Sequence, residues 1–181
     1  YFFVSKKLFN LNLMETVPYD KRSGKIWFNG ELINWTDAKV HVLNHGLHYA
    51  SCVFEGERVY DGEIFKLEEH TDRLFYSAKR MGIVIPYSPK EINTASKEIV
   101  TAQKIKDGYV RPIIWRGSEM MAISAQKNKI HVAIASWEWG SYFDPNLKLK
   151  GIKLNISSWR RPAPNSVPWD TKAAGLYMIC T

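Results

Sequence analysis

The chain has 181 residues, of which 45% are hydrophobic and 24% are charged, and its formal net charge is +7. This balance is typical of a globular protein with one domain, or with one domain and part of another. The basic residues are scattered and no nucleic-acid-binding motif accompanies them, so the charge predicts only a general preference for anionic ligands.

Cysteine content and hydrophobicity exclude further classes. Cys52 and Cys180 form no C-x-x-C pattern, which excludes a thiolate metal site and argues against a disulfide framework. No apolar run approaches the ~18 residues of a membrane span. The apolar start is interrupted by Lys6 and Lys7 and lacks a small-residue cleavage site, so it is a poor signal peptide. We therefore expect a cytoplasmic protein, and we expect its natural start near Met14.

Two hairpins are predicted from their turn sequences. Asn29-Gly30 interrupts KIWFNGELI, and Asp61-Gly62 interrupts RVYDGEIFKL. Both dipeptides favour a type I′ turn, because that turn needs positive φ at both central positions. The segment between the hairpins, NHGLHYASCVFEG, is rich in small residues, and its periodicity does not distinguish a helix from a strand.

Two helices follow the second hairpin. The first, LEEHTDRLFYSAKRMG, has its apolar residues near one face, and Gly82 is placed to end it. The second begins at Ser88-Pro89, where Ser88 is the N-cap and Glu91 completes a capping box. Ile92 opens the apolar face of this second helix.

The rest of the chain is predicted to be mainly strands, namely YVRPIIW, KIHVAIASW and GIKLNISSW. RRPAPNSVPWD is predicted to be an irregular loop. Strands, then helices, then strands indicate an α+β fold with antiparallel pairing. No Gly-rich phosphate loop is present, which argues against a nucleotide fold. The expected divisions are a lead-in at 1–24, an N-terminal α+β domain at 25–142, a linker at 143–150 and the start of a second domain at 151–181.

Lys172 is the first candidate for chemistry. A single lysine is usually a solvated surface residue. Here Ala173, Ala174 and Gly175 allow close approach, and burial among apolar neighbours would disfavour the charged ammonium. A neutral amine is what Schiff-base chemistry requires.

Histidines and one arginine give weaker signals. His41, His45 and His48 would share one face of a helix, which makes a metal site conceivable. Gly46 weakens that helix and no carboxylate lies within the run, so packing or hydrogen bonding is favoured. Arg111 lies in an apolar strand, where an unpaired charge is costly. It therefore serves either a structural salt bridge or the bidentate binding of an anion.

Several blocks, taken in order, resemble one family. The blocks are KIWFNGELINWTDAKVHVLNHGLHYASCVFEG, HTDRL, GYVRP, SWEWGSY, SSWRRPAPNSVP and TKAAGLY. They are similar to the branched-chain amino-acid aminotransferases, which are fold-type IV pyridoxal-phosphate enzymes. The resemblance runs from about Lys25 to the last residue. It implies transfer of an amino group between Leu, Ile or Val and 2-oxoglutarate through a Schiff base with pyridoxal 5′-phosphate.

The resemblance also implies roles for single residues. Lys172 matches the lysine that forms the internal aldimine and moves the proton between Cα and C4′. Arg73 matches the arginine that binds the cofactor phosphate, and Tyr177 matches a tyrosine near the ring oxygen. Tyr109 and Arg111 match residues on the carboxylate-recognising side, where Arg111 would receive the distal carboxylate of glutamate or 2-oxoglutarate. The residues that match the substrate side-chain pocket are Tyr49, Phe54, Trp139 and Tyr142.

Assembly and completeness are implied in the same way. Tyr49 belongs to a loop that, in the family, reaches across the dimer interface, so a homodimer or larger homo-oligomer is implied. The family has a second domain after the lysine, which supplies the carboxylate facing the pyridine nitrogen and the amides that hold the phosphate. We therefore expect a truncated chain that is inactive alone and binds the cofactor weakly or not at all.

Departures and alternatives remain. Ala174 and Leu176 stand where the family pattern has glycine and asparagine, and both are tolerable. The alternatives are a D-amino-acid aminotransferase or aminodeoxychorismate lyase of the same fold type, and a non-catalytic interaction fragment. Tyr109-x-Arg111 and the block HGLHYASCVFEG favour the branched-chain group.

Overall fold

The computed structural model describes residues 17–140, 149–151 and 154–180. Its framework is an antiparallel sheet of seven strands in the order β2-β1-β7-β6-β4-β5, with β3 also paired to β6. The strands are β1 Lys25–Phe28, β2 Glu31–Asn34, β3 Cys52–Phe54, β4 Glu57–Tyr60, β5 Glu63–Ile64, β6 Gly108–Arg116 and β7 Ile130–Glu138. The helices are α1 His45–Tyr49, α2 Leu67–Arg80 and α3 Pro89–Ala102. The predicted α+β fold with antiparallel pairing is confirmed.

Both predicted hairpins are present. Asn29 and Gly30 have φ values of 51° and 102°, and Asp61 and Gly62 have φ values of 49° and 83°. Positive φ at both central positions is what a type I′ turn requires. The turns join β1 to β2 and β4 to β5 in antiparallel register.

The two long helices begin and end where the sequence predicts. Ser88 Oγ accepts a hydrogen bond from Glu91 N at 3.3 Å, and Ser88 N donates to Glu91 Oε2 at 2.7 Å. This is the predicted capping box, which satisfies two N–H groups at the start of α3. Gly82, with φ of 64°, follows the last turn of α2.

The core lies between the sheet and these two helices. Leu74 of α2 and Ile92 of α3 are fully buried against Val53, Val110 and other sheet residues. Neighbouring residues of a strand point to opposite faces. Tyr109, Arg111 and Ile113 of β6 therefore lie on the face away from the helices, where the candidate site is built.

The segment that periodicity left unassigned folds in two parts, which are α1 and β3. Strand β3 pairs with the central strand β6. It also carries a bridge from Val53 to Ala173, and Phe54 N donates to Lys172 O at 3.2 Å. These contacts bring Lys172 from the far end of the chain to the middle of the sheet.

The predicted strand GIKLNISSW is wrong over its described part, since residues 154–159 adopt no strand. Leu154 is 85% exposed and Ile156 is 89% exposed. A strand needs a hydrogen-bonded neighbour, and no described strand lies beside this segment. RRPAPNSVPWD has no regular secondary structure, as predicted. The predicted boundary at 142 and most of the predicted linker 143–150 lie outside the described residues.

No helix in the described part of the chain is long and apolar enough to cross a membrane.

Candidate active site

Lys172 is held by both layers of the fold. Its backbone N–H donates to Ser77 Oγ of α2 at 3.0 Å, and its carbonyl accepts from Phe54 N of the sheet. Its Nζ donates to the hydroxyl of Tyr177 at 2.7 Å. Tyr177 lies on a 3₁₀ helix, Ala174–Cys180, which follows the lysine directly. The amine thus has one fixed hydrogen-bond partner and a backbone fixed on two sides.

The ring of Phe54 joins the amine to a second cation. Lys172 Nζ and Arg111 Cζ each lie 4.7 Å from the centroid of this ring. The Tyr177 ring lies 5.0 Å from it. Cations are attracted to the face of an aromatic ring at such distances. Phe54 therefore forms a shared apolar floor with Lys172 and Arg111 around it.

A second cluster surrounds the carboxylate of Glu55, which is fully buried. Arg73 donates to it from Nε at 2.6 Å and from Nη2 at 2.7 Å, and His70 Nδ1 lies 2.8 Å from Oε2. Burial alone would raise the pKa of the Glu55 carboxyl, but the hydrogen bonds from Arg73 and His70 outweigh it and hold the pKa below its usual value. The Arg73 side chain remains 53% exposed.

A cleft of about 410 Å³ lies beside these groups. Arg73, Arg161, Lys172 and Tyr177 line it, and Asp170 is the acid among its lining residues. Three cations against one carboxylate favour a dianionic group such as a phosphate ester. Arg73 uses two of its five N–H groups on Glu55, so it keeps donors for another anion.

The face of the sheet next to Phe54 is aromatic. Arg111 Nη2 donates to the hydroxyl of Tyr109 at 3.3 Å. The Tyr109 ring lies 5.3 Å from Trp137 and 4.8 Å from Trp139. Among the described residues, no carboxylate pairs with Arg111, so its strand position is not explained by an ion pair.

Residues 52–180 match the family described as amino-transferase class IV. The chain belongs to the class IV aminotransferases. It is 45% identical over 161 residues to the branched-chain-amino-acid aminotransferase of Pseudomonas aeruginosa, an alignment that covers 87% of this chain and 52% of that protein. The chain thus spans about half the length of the curated relatives that it matches.

Solved structures agree with this assignment. The branched-chain aminotransferase of T.th., solved with pyridoxamine 5′-phosphate, is 37% identical with a TM-score of 0.82, and the match covers 87% of this chain and 53% of that one. The enzyme of Thermoproteus uzoniensis, solved with norvaline, is 34% identical with a TM-score of 0.80, covering 87% and 54%. These names favour the branched-chain group over the D-amino-acid aminotransferase, the lyase and the interaction fragment.

The predicted site residues of this class IV aminotransferase chain fall into three groups. Lys172, Arg73, Tyr177, Phe54, Arg111, Tyr109 and Trp139 are placed around the cleft and the aromatic face. Tyr49 lies apart from the cleft-lining residues. It is the last residue of α1 rather than part of a loop, and its hydroxyl donates to Met121 O at 3.1 Å. Tyr142 lies outside the described residues.

Glu55, His70 and Ser77 were missed by sequence reasoning, although each contacts a predicted site residue. Glu55 and Glu57 alternate within VFEGERV, so two acids occupy apolar positions of a strand. That was the available signal, since a buried carboxylate needs a partner. Glu57 is also buried, and burial together with the nearby Glu55 charge raises its pKa to about 8.

The three histidines that suggested a metal site make separate hydrogen bonds. His45 is buried, with Nδ1 2.7 Å from Ser51 Oγ and Nε2 3.1 Å from Ala122 O. His48 Nε2 lies 2.9 Å from Val42 O. Among the described residues, no three His, Cys, Asp or Glu side chains form a group that could hold a metal. These contacts support the packing and hydrogen-bonding roles.

Proposed function

We propose that this chain supplies the reactive lysine and part of the substrate pocket of a pyridoxal-phosphate-dependent aminotransferase. The enzyme moves the amino group between the branched-chain L-amino acids Leu, Ile and Val and 2-oxoglutarate. One observation carries the proposal: the Lys172 amine lies between a cationic cleft and an aromatic face that holds a second cation, Arg111. The printed names of the relatives supply the substrate class.

The residues present fit the cofactor. Arg73 would hold the phosphate, because it lines the cleft with donors left over from Glu55. Tyr177 would lie beside the ring, since its hydroxyl is already at the Lys172 amine. When bound, pyridoxal phosphate supplies an aldehyde for the lysine and an electron-accepting ring for the carbon that loses its proton.

Lys172 has two tasks in this proposal. Its amine must be neutral to attack a carbonyl carbon, and the ring faces of Phe54 and Tyr177 place it in a partly apolar setting. Once released, the same amine can accept a proton from the substrate Cα and return it to another carbon. Tyr177 gives that amine a hydrogen-bond partner at 2.7 Å, which limits its movement.

The substrate must present an apolar side chain in one half-reaction and a carboxylate in the other. Phe54, Tyr109 and Trp139 are proposed as apolar walls, and Arg111 as the carboxylate partner. Arg111 suits that task because its guanidinium is fixed over Phe54 and against the Tyr109 hydroxyl. Tyr49 and Tyr142 stay predictions for the same pocket.

Assembly and location belong to the proposal too. We propose a homodimer or larger homo-oligomer, in which the exposed end of α1 contacts a second copy. Leu47 is 67% exposed and Tyr49 is 48% exposed there. Large apolar side chains that cluster on a surface favour such contacts. A cytoplasmic location is proposed from the family.

Covalent trapping tests the proposal. The chain is incubated with excess pyridoxal phosphate, reduced with borohydride and mapped by peptide mass spectrometry. We expect the pyridoxyl group on Lys172 above all other lysines. K172R keeps the charge but cannot form the linkage, so it should lose that label, whereas K66R, at an exposed lysine, should keep it. Label spread evenly over the exposed lysines would contradict the proposal.

A further inference from the structure

Asp170 lies two residues before Lys172 and touches helix α2 at two points. The Tyr76 hydroxyl donates to Asp170 Oδ2 at 2.5 Å, and Arg80 Nε lies 3.5 Å from Oδ1. Tyr76 and Arg80 are one helical turn apart, so they face the same side of α2. Ser77, which lies between them, holds the backbone of Lys172 itself.

The segment before Asp170 offers no comparable support. The hydrogen bonds described for residues 154–169 run within the stretch 154–171, for example from Arg161 Nη2 to Trp169 O at 3.4 Å. Thr171 closes a turn onto Pro168 with its N–H and its hydroxyl. A turn of this kind fixes its own shape but not its place on the protein. In the described part of the chain, Asp170 is the side chain that ties this turn to α2.

We propose that Asp170 is a positioning residue for Lys172. Its carboxylate fastens the turn 168–171 to α2 and thereby fixes the backbone from which the lysine side chain projects. The inference rests on the proposed function only in assigning Lys172 the reacting amine. Arg80 and Tyr76 act through Asp170, and none of the three needs to touch the substrate or the cofactor.

Two measurements that need no cofactor test this inference. The first is amide hydrogen exchange of the peptide that covers 168–173, compared with a peptide of α3. The second is the rate at which acetic anhydride acetylates Lys172 in the folded chain. D170A should raise both rates about three- to tenfold, the range implied by the net contribution of one hydrogen bond. The α3 peptide should not change.

Matched variants separate positioning from general loosening. D72A removes an acid from the same helix and should change neither rate. D170N keeps an acceptor oxygen for Tyr76 and should lie between D170A and the wild type. Y76F leaves Asp170 in place and keeps the test readable if D170A does not fold. Unchanged exchange or unchanged acetylation in both D170A and Y76F would overturn the inference. A failure of cofactor trapping in the wild type would instead count against the proposed function.

Discussion

Arg73 and Glu55 form a two-point ion pair across the helix–sheet boundary, at 2.6 Å and 2.7 Å. Glu55 is fully buried, whereas the Arg73 side chain is half exposed. The pair lets a guanidinium at the edge of the cleft stay in one orientation. It also makes the buried carboxylate depend on one partner for most of its stabilisation.

R73A should therefore destabilise the fold. Removing one partner of a buried pair costs about 3–5 kcal/mol, and we expect about 3 because Arg73 is partly solvated. The lowered pKa of Glu55 means that its contribution is present above the pKa of the unfolded state and is lost as the pH falls through the folded pKa. The gap between wild type and R73A should therefore narrow in acid. Urea unfolding at neutral and acidic pH measures this, with K79A as the control on α2.

Glu57 predicts the opposite pH dependence. Its folded pKa is raised from 4.5 to about 8, so the folded state keeps a proton that the unfolded state releases. Stability from this group is complete below pH 4.5 and falls as the pH rises to about 8. The decline is at most about 1.4 kcal/mol per pH unit. E57Q should remove this part of the decline, and parallel urea-unfolding profiles of the two proteins across that range would contradict the assignment.

Local signals explain which parts of the fold were predictable. The turns at Asn29-Gly30 and Asp61-Gly62 and the cap at Ser88 depend on neighbouring residues, so the sequence predicts them directly. The Glu55–Arg73 pair joins a strand to a helix 18 residues away, and only the fold brings them together. The expected strand at 151–159 failed because a strand depends on a distant partner. Lys172, Arg73 and Arg111 were found through family resemblance rather than through any property of single residues.

Gly56 leaves room for Tyr109. A Cβ atom at Gly56 would lie 1.8 Å from the Tyr109 hydroxyl oxygen and 2.7 Å from Cζ. G56A should displace the ring that Arg111 contacts and cost about 1–3 kcal/mol, as overpacking does. The cost of G56A should be at least about 0.5 kcal/mol smaller in a Y109F background, because the closest atom is gone. Equal costs in both backgrounds, measured by urea unfolding, would show that the hydroxyl moves aside freely.

The two cysteines should differ sharply in reactivity. Cys52 is buried, and burial raises its pKa from 9.0 to about 12, whereas Cys180 is exposed. Because the thiolate is the reactive form, an aromatic disulfide reagent should label one thiol rapidly and the second only after denaturation. C180S should abolish the rapid phase. Two rapid equivalents in the native wild type would contradict the placement of Cys52.

Arg111 should decide whether the enzyme accepts a dicarboxylate. No described carboxylate pairs with its guanidinium, which lies over Phe54 and donates to Tyr109. A lost charge-assisted contact is worth about 1.5–3 kcal/mol. In the active enzyme, R111Q should therefore lower kcat/KM for glutamate about ten- to a hundredfold more than for leucine.

Arg116, on the same strand, supplies the control for that experiment. Its guanidinium donates to the carbonyls of Ala125 and Gly82, at 3.1 Å and 2.5 Å, so its partners are structural. R116Q should lower the unfolding free energy and leave the glutamate-to-leucine ratio of kcat/KM unchanged. R111Q should change the ratio with little loss of stability, since its contacts are a ring face and one neutral hydroxyl. If R111Q reduces both substrates equally, Arg111 supports the aromatic face and another group receives the distal carboxylate.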